Sequence, residues 1–285
     1  MNRNVLNGRM TQPRSRADRG PVVDPTPFGV VEGIPVGMVM VPAGRFVMGS
    51  SSGADAEGPV HEVFVDQFLL DRSPVSNDDF AVFVSESGYR TTAEVQTPSP
   101  ETDGAHRPPV WTEFAGAGRE RHPVVCVSWV DAVEYAKWSG KRLPTEAEWE
   151  RAARGGLAAC KFPWGDDDPT DARCQWSRAA DGVVIATADS STLEPNAFGL
   201  HSMVGNVWEW CADWYDEAYY AAKQVANPPG PSHGTYRVRR GGAWNVRETF
   251  RLRCANRGAM QPLASWPNLG FRCARSAEVP KIGSR

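Results

Sequence analysis

No uninterrupted apolar run in these 285 residues approaches the roughly 20 needed to cross a bilayer, so the chain is not read as a membrane protein. Cations are no commoner than anions: 31 Lys and Arg against 34 Asp and Glu leave a net charge of −3. No basic field draws a phosphate backbone, and nucleic acid is not expected as a partner. Met1 to Arg19 carries several arginines but no apolar stretch behind them, so a secretory signal is missing and the cytoplasm is the expected location. The six cysteines, Cys126, Cys160, Cys174, Cys211, Cys254 and Cys273, form no CxxC pair and no zinc-spaced cluster with histidine. They read as mostly buried, reduced thiols. Also missing are a Gly-rich phosphate loop, a GxSxG elbow, an HExxH helix and any repeat of solenoid period.

What the chain does have is an ordinary apolar share of 41% with 11 Trp and 27 Gly, which suggests a loop-rich body organised by aromatic anchors. Residues 1–36, rich in Arg, Pro and Gly, read as a flexible arm, residues 37–276 as the folded domain and 277–285 as a flexible tail. Met38–Val41 and Arg45–Met48 are short apolar strands joined by the turn Pro42-Ala43-Gly44, and a hairpin is the simplest outcome. From His61 to Leu70 the alternation of Val63, Val65 and Phe68 with polar neighbours predicts one half-buried strand.

Three helices are marked by start and stop signals. Ser76 precedes Phe80, Val82, Phe83 and Val84 and the run ends at Gly88; Ser128 with Asp131 caps a second, stopped by Gly140; Thr145 with Glu148 caps a third, stopped by Gly155-Gly156. After Gly156 the text becomes short stretches between Gly, Pro, Asp and Asn. Order there needs large aromatics, bound ions or both. Thr235–Arg240 and Gly270–Arg275 read as two strands closing a small sheet.

A series of motifs then carries a family resemblance: Met38-Val-Met-Val-Pro-Ala-Gly-Arg-Phe-Val-Met-Gly49, Pro59-Val-His61, Asp71-Arg-Ser-Pro-Val-Ser76, Gly140-Lys-Arg-Leu-Pro-Thr-Glu-Ala-Glu-Trp-Glu150, Phe162-Pro-Trp-Gly-Asp166, Gly205-Asn-Val-Trp-Glu-Trp210, Arg240-Gly-Gly242 and Asn268-Leu-Gly-Phe-Arg-Cys273. In this order they resemble the formylglycine-generating enzyme, or sulfatase-modifying factor, family. The resemblance implies a single α+β domain of the C-type-lectin-like kind, low in regular structure, with a shallow substrate groove on its loop-rich face.

That family oxidises a sulfatase cysteine to formylglycine with molecular oxygen, through copper(I) held by two cysteines just beyond the Gly-Gly turn. Soft thiolates suit Cu(I). Here the matching stretch, Gly241 to Arg257, is shorter and holds no cysteine before Cys254. Cys254 and Cys273 match cysteines that in some relatives form disulfides, but the partner positions hold Ala136 and Ala153, so those disulfides are not expected. The family's calcium ligands map onto Ser202, Gly205, Val207 and Glu209, where carbonyls and one carboxylate suit a hard cation. A buried Glu209 needs a partner, which calcium would supply. The second calcium site maps onto Asp181 and Val183, with Arg173 where an Asn ligand is expected. His61 and His122 sit in family-typical, structural positions.

The loop where copper chemistry is missing offers Trp244, Asn245, Arg247, Glu248 and Arg251, with Arg257 and Trp266 following. Arginines, an acid and indoles suit an anionic or zwitterionic small molecule or a peptide substrate. Arg251 and Arg253 are expected to brace the fold, which leaves Trp244, Arg247 and Glu248 freer to act. The functional expectation is a divergent oxidoreductase acting on a small molecule or a carrier-bound amino acid, as sulfoxide-synthase and pyoverdine-maturation relatives do. It would use structural calcium and a redox metal, copper or iron, for which the sequence offers no ligand set. The alternatives are a non-catalytic lectin-like binding module and a formylglycine generator with a relocated thiol site.

Overall fold

The computed structural model describes residues 34–96, 108–177, 186–222 and 224–277. Residues 1–33 of the expected arm, the tail from 278, and Asp181 and Val183 lie outside them.

Helices begin where side chains can replace the amide partners that a first turn lacks. Ser76 accepts from the Asp79 amide and opens α1 (Asn77–Ser87), which left-handed Gly88 ends. A short α2 (Thr92–Val95), absent from the sequence expectation, starts on a Thr91/Glu94 capping box. Ser128 and Asp131 form the same reciprocal box on α3 (Trp129–Trp138), as do Thr145 and Glu148 on α4 (Glu146–Arg154), which Gly155 closes in the left-handed region.

The expected hairpin does not form. β1 (Met38–Val41) pairs antiparallel with β4 (Phe68–Asp71), and β2 (Gly44–Met48) pairs with β3 (His61–Val65). The turn is held open from below: Arg151 donates to the Pro42 carbonyl through Nε and Nη2 at 2.9 and 2.5 Å. Its guanidinium leaves no room for a side chain at residue 44, where a Cβ would meet Nη2 at 2.8 Å. The single strand expected over His61–Leu70 is likewise divided. Asn227 takes the Asp66 amide at 2.8 Å and donates to its carboxylate at 2.8 Å, which fixes the break where the chain passes from β3 to β4.

A four-stranded sheet of order β7-β6-β5-β8 lies at the centre: β5 (Trp208–Trp214), β6 (Arg237–Arg240), β7 (Arg257–Met260) and β8 (Leu269–Gly270). The expected strand over Gly270–Arg275 is split between two sheets, with β9 (Ala274–Ser276) pairing to β4 instead. The split places Arg272 fully buried between them. Alternation along β5 sends Cys211 into one hydrophobic cluster and Trp208 and Trp210 into another.

All nine residues of α4 are buried, charged ones included. Such burial is tolerable only with partners. Glu150 takes Arg154 Nη2 at 2.7 Å and also pairs with Arg240, while Glu146 takes Arg257 Nε at 2.7 Å and Nη2 at 2.9 Å. Burial alone would raise the Glu150 carboxyl, but Arg240 and Arg154 outweigh it and hold it below the usual range.

Candidate functional site

The loop after β6 is launched by Gly241 and Gly242 at φ 96° and 71°. A Cβ at Gly242 would meet the Arg251 carbonyl at 2.8 Å, so the loop folds back onto its own start. Its far end is anchored in the core. Arg253 grips Glu57 through two bonds of 2.7 and 2.8 Å, as expected of a bracing residue. Arg257, expected in the groove, is instead buried and committed to Glu146 and to the Ala56 carbonyl at 2.7 Å. Its place in the core follows from β7, whose pairing with β6 sets it opposite Arg240.

Between these anchors, Trp244 is half-buried and donates from Nε1 to the Pro267 carbonyl at 3.1 Å; Asn245 is exposed and accepts from Asn268 at 3.0 Å. Arg247 is exposed. Glu248 and Arg251 form a solvent-facing pair at 3.6 Å, so Arg251 does not brace the core as Arg253 does. Trp266 is 52% exposed while its carbonyl receives the Cys126 amide at 3.0 Å. Trp244 thus reaches the segment next to Trp266, so the two stretches named from sequence do meet.

Sequence reasoning missed what lies beneath them. On the face of β6 opposite the fully buried Arg240 are Arg237 and Arg239. Arg237 is sandwiched between Trp129 at 3.7 Å and Trp214 at 3.4 Å, and Arg239 lies over Trp208 at 4.5 Å. Gly258 makes room for it, since a Cβ there would meet Arg239 Cγ and Nε at 3.1 Å. Among the described residues Arg239 makes no ion pair, and its Nε is shielded without a hydrogen-bond partner. Burial, then the neighbouring charge of Arg251, lowers its guanidinium to about 10. The Arg-x-Arg spacing on an expected strand was the available signal, because period two puts both residues on one face.

Around the proposed calcium loop, Ser202 and Asn206 adopt positive φ of 52° and 57°. The partner that buried Glu209 requires is present in the protein itself. Arg272 donates to it from Nε and Nη2, each at 2.7 Å, and Trp149 Nε1 donates at 2.8 Å. The Ser202 hydroxyl, by contrast, is buried with no hydrogen-bond partner.

Histidines serve structure where they are described. His61 packs edge-on to Tyr220 with centroids 4.9 Å apart, and Nδ1 of His122 meets the Thr187 hydroxyl at 3.0 Å. Copper of the family kind does not fit the loop, which has no cysteine between Gly242 and Cys254. Cys254 and Cys273 belong to different core clusters and do not converge. Among the described residues, no group of three His, Cys, Asp or Glu is placed to hold a metal ion.

Residues 29–277 match the family model described as a sulfatase-modifying factor enzyme 1-like domain. The chain belongs to the formylglycine-generating enzyme family. It is 39% identical to the formylglycine-generating enzyme of Streptomyces coelicolor, over 94% of this chain and 96% of that one. It is also 39% identical to the inactive C-alpha-formylglycine-generating enzyme 2 of Bos taurus, over 86% of this chain and 90% of that one. Among solved structures, PvdO from Pseudomonas aeruginosa superposes with a TM-score of 0.67 at 30% identity, covering 84% of this chain and 94% of PvdO. The family therefore includes both catalytic and inactive members, and the C-type-lectin-like domain expected from the motifs is the fold of this chain. No described helix is long and apolar enough to cross a membrane.

Proposed function

We propose that this family member is a divergent oxidoreductase whose substrate is an anionic or zwitterionic small molecule, or a carrier-bound amino acid, taken up beside the loop from Trp244 to Arg251. The observation that carries the binding half is Arg239: a half-buried guanidinium stacked on Trp208 with no carboxylate partner among the described residues, next to the half-engaged Arg251. Cations largely shielded from water are ordinarily paired. A carboxylate or phosphate completes this one, and Trp208 supplies a flat surface for the rest of the ligand. The oxidoreductase half rests on the catalytic relatives. No step is routed through copper or iron, since the described residues offer no ligand set.

Two probes test the site: titration of inorganic phosphate and of succinate into the protein, followed by tryptophan fluorescence, with potassium chloride at matched ionic strength as control. Saturable quenching is expected, weakened roughly 10- to 100-fold in Arg239→Gln, the span of one charged hydrogen bond. Equal quenching by chloride, or unchanged affinity in Arg239→Gln, sinks the reading.

A second reading, a binding module without catalysis, is favoured by the lack of a three-donor metal group among the described residues. Metal analysis of the purified protein separates the two: near-stoichiometric copper or iron supports the enzyme, and calcium alone supports the module. Under either reading, Ser202, Gly205, Val207 and Glu209 are proposed to hold a structural calcium ion, supported by the orphaned Ser202 hydroxyl.

A further inference from the structure

The loop that follows α4 brings Cys160 close to Cys254, near enough for the two thiols to shift each other's titration. The backbones are fixed side by side as well, because the Cys254 amide donates to the Lys161 carbonyl at 2.7 Å. Arg154 closes the other flank. Its Nη1 donates to the Cys160 carbonyl at 3.1 Å while Nε and Nη2 hold Glu150 at 3.0 and 2.7 Å, which keeps a guanidinium beside both thiols. The pairing differs from the one the sequence ruled out. Ala153, in the partner position of the relatives' disulfide, is buried in α4, and the thiol comes from seven residues further along the chain.

We propose that Cys160 and Cys254 form a redox-active dithiol, a modification site that a hydroperoxide converts to an intramolecular disulfide. Exposure assigns the roles, since Cys160 is 9% exposed and Cys254 is fully buried. Electrostatics agrees. The neighbouring Cys254 thiol, aided by Arg154 and opposed by burial and Asp166, brings Cys160 down to about 7, whereas burial and then Cys160 itself push Cys254 well up despite Arg154, with Glu150 adding to the rise. Burial also raises the other thiols, Cys126 to about 12, with Cys174, Cys211 and Cys273 pushed up as well.

In the first step the Cys160 thiolate attacks one peroxide oxygen, forming an S–O bond as the O–O bond breaks and hydroxide leaves. In the second, the Cys254 sulfur attacks the Cys160 sulfenic sulfur, the S–O bond breaks, and the Cys254 proton leaves with the oxygen as water. The hydroxide is protonated by solvent. Two thiols and one hydroperoxide thus give one disulfide, with two electrons passing from sulfur to the peroxide. The crosslink ties the loop behind α4 to the end of the Gly242–Arg253 loop, whichever ligand that loop holds.

The test uses the full, reduced chain treated with equimolar hydrogen peroxide, then denatured and alkylated without reductant. Intact mass should show the loss of two hydrogens and a fall in alkylated cysteines from the six of the sequence to four. Peptide mapping should find Cys160 joined to Cys254, and dithiothreitol should restore all six thiols. Cys160→Ser, which nearly keeps the side chain's size, should leave every remaining thiol alkylatable. Six alkylated thiols after peroxide, oxygen adducts on Cys160 without a crosslink, or a two-thiol loss that persists in Cys160→Ser overturns the proposal. Mapping of the wild-type protein decides the linkage even if the variant folds poorly.

Discussion

Glu209→Gln separates the charge partner seen in the structure from the cation proposed beside it. Glu209 is 1% exposed and Arg272 0%, and the carboxylate receives two bonds from Arg272 and one from Trp149. A glutamine keeps the volume but offers one acceptor oxygen, and its amide nitrogen must face a donor, so Arg272 is left buried without a counter-charge. Breaking a buried pair in this way costs about 3–5 kcal/mol. At about 2–4 °C per kcal/mol for a domain of this size, the melting temperature should fall by about 6–20 °C. Calorimetric melts of both proteins in excess calcium and in chelator complete the design. If Ser202, Gly205, Val207 and Glu209 hold calcium, the wild type gains about 2.7 kcal/mol at a hundredfold excess of ion over its dissociation constant, and Glu209→Gln loses most of that gain. A variant that melts within about 2 °C of wild type in chelator refutes the claim that Arg272 depends on Glu209. A wild type indifferent to calcium refutes the ion site and leaves the pair standing.

Asp213 supplies a test in pH. Burial and then the charge of Glu146 raise its carboxyl well above the ordinary 3.8, so its contribution to stability is complete below that value and is lost as pH rises through the folded-state value. Asp213→Asn, which can still accept the Glu146 amide, should therefore be more stable than wild type at neutral and alkaline pH and show a flatter profile. Equal profiles would mean that the group is not buried as an acid. Glu150 has the opposite sign. Held below the ordinary 4.5, it stabilises at neutral pH and releases that stability as pH falls through and below 4.5, a loss that Glu150→Gln should remove from acid titrations followed by circular dichroism. Incubation with a Cys-x-Pro-x-Arg peptide, copper and oxygen should give no mass change; conversion of the cysteine to formylglycine would show that the missing loop cysteines have been replaced elsewhere.

The elements legible in the sequence were those fixed by their own neighbours. Ser76, Ser128 and Thr145 with the glycines behind them located three helices because a cap is a contact over three residues. The hairpin at Pro42–Gly44 and the long strand through Asp66 failed because the deciding residues, Arg151 and Asn227, lie more than a hundred positions away. Within the site the same division holds. Trp244 and Trp266 could be named from motif position, whereas Arg257 entered the core through β7 pairing, and Arg239 stood out only once Trp208 was placed beneath it. Glu209 shows a subtler limit, since the need for a partner was readable but the partner's identity was not.

Loss of the copper cysteines need not disturb the fold, and the structure shows why. Each end of the Gly242–Arg257 loop is tied to elements outside it: Arg240 to Glu150 on α4, Arg253 to Glu57, and Arg257 to Glu146. These pairs are buried, so removing one partner is costly, while the exposed residues between them, Asn245, Arg247, Glu248 and Arg251, carry little of the fold's stability. Substitutions there change the chemistry that the loop presents at small structural cost. These ion pairs hold the architecture of this chain independently of what the loop presents, and activity has to be argued from the residues that the loop and β6 bring together.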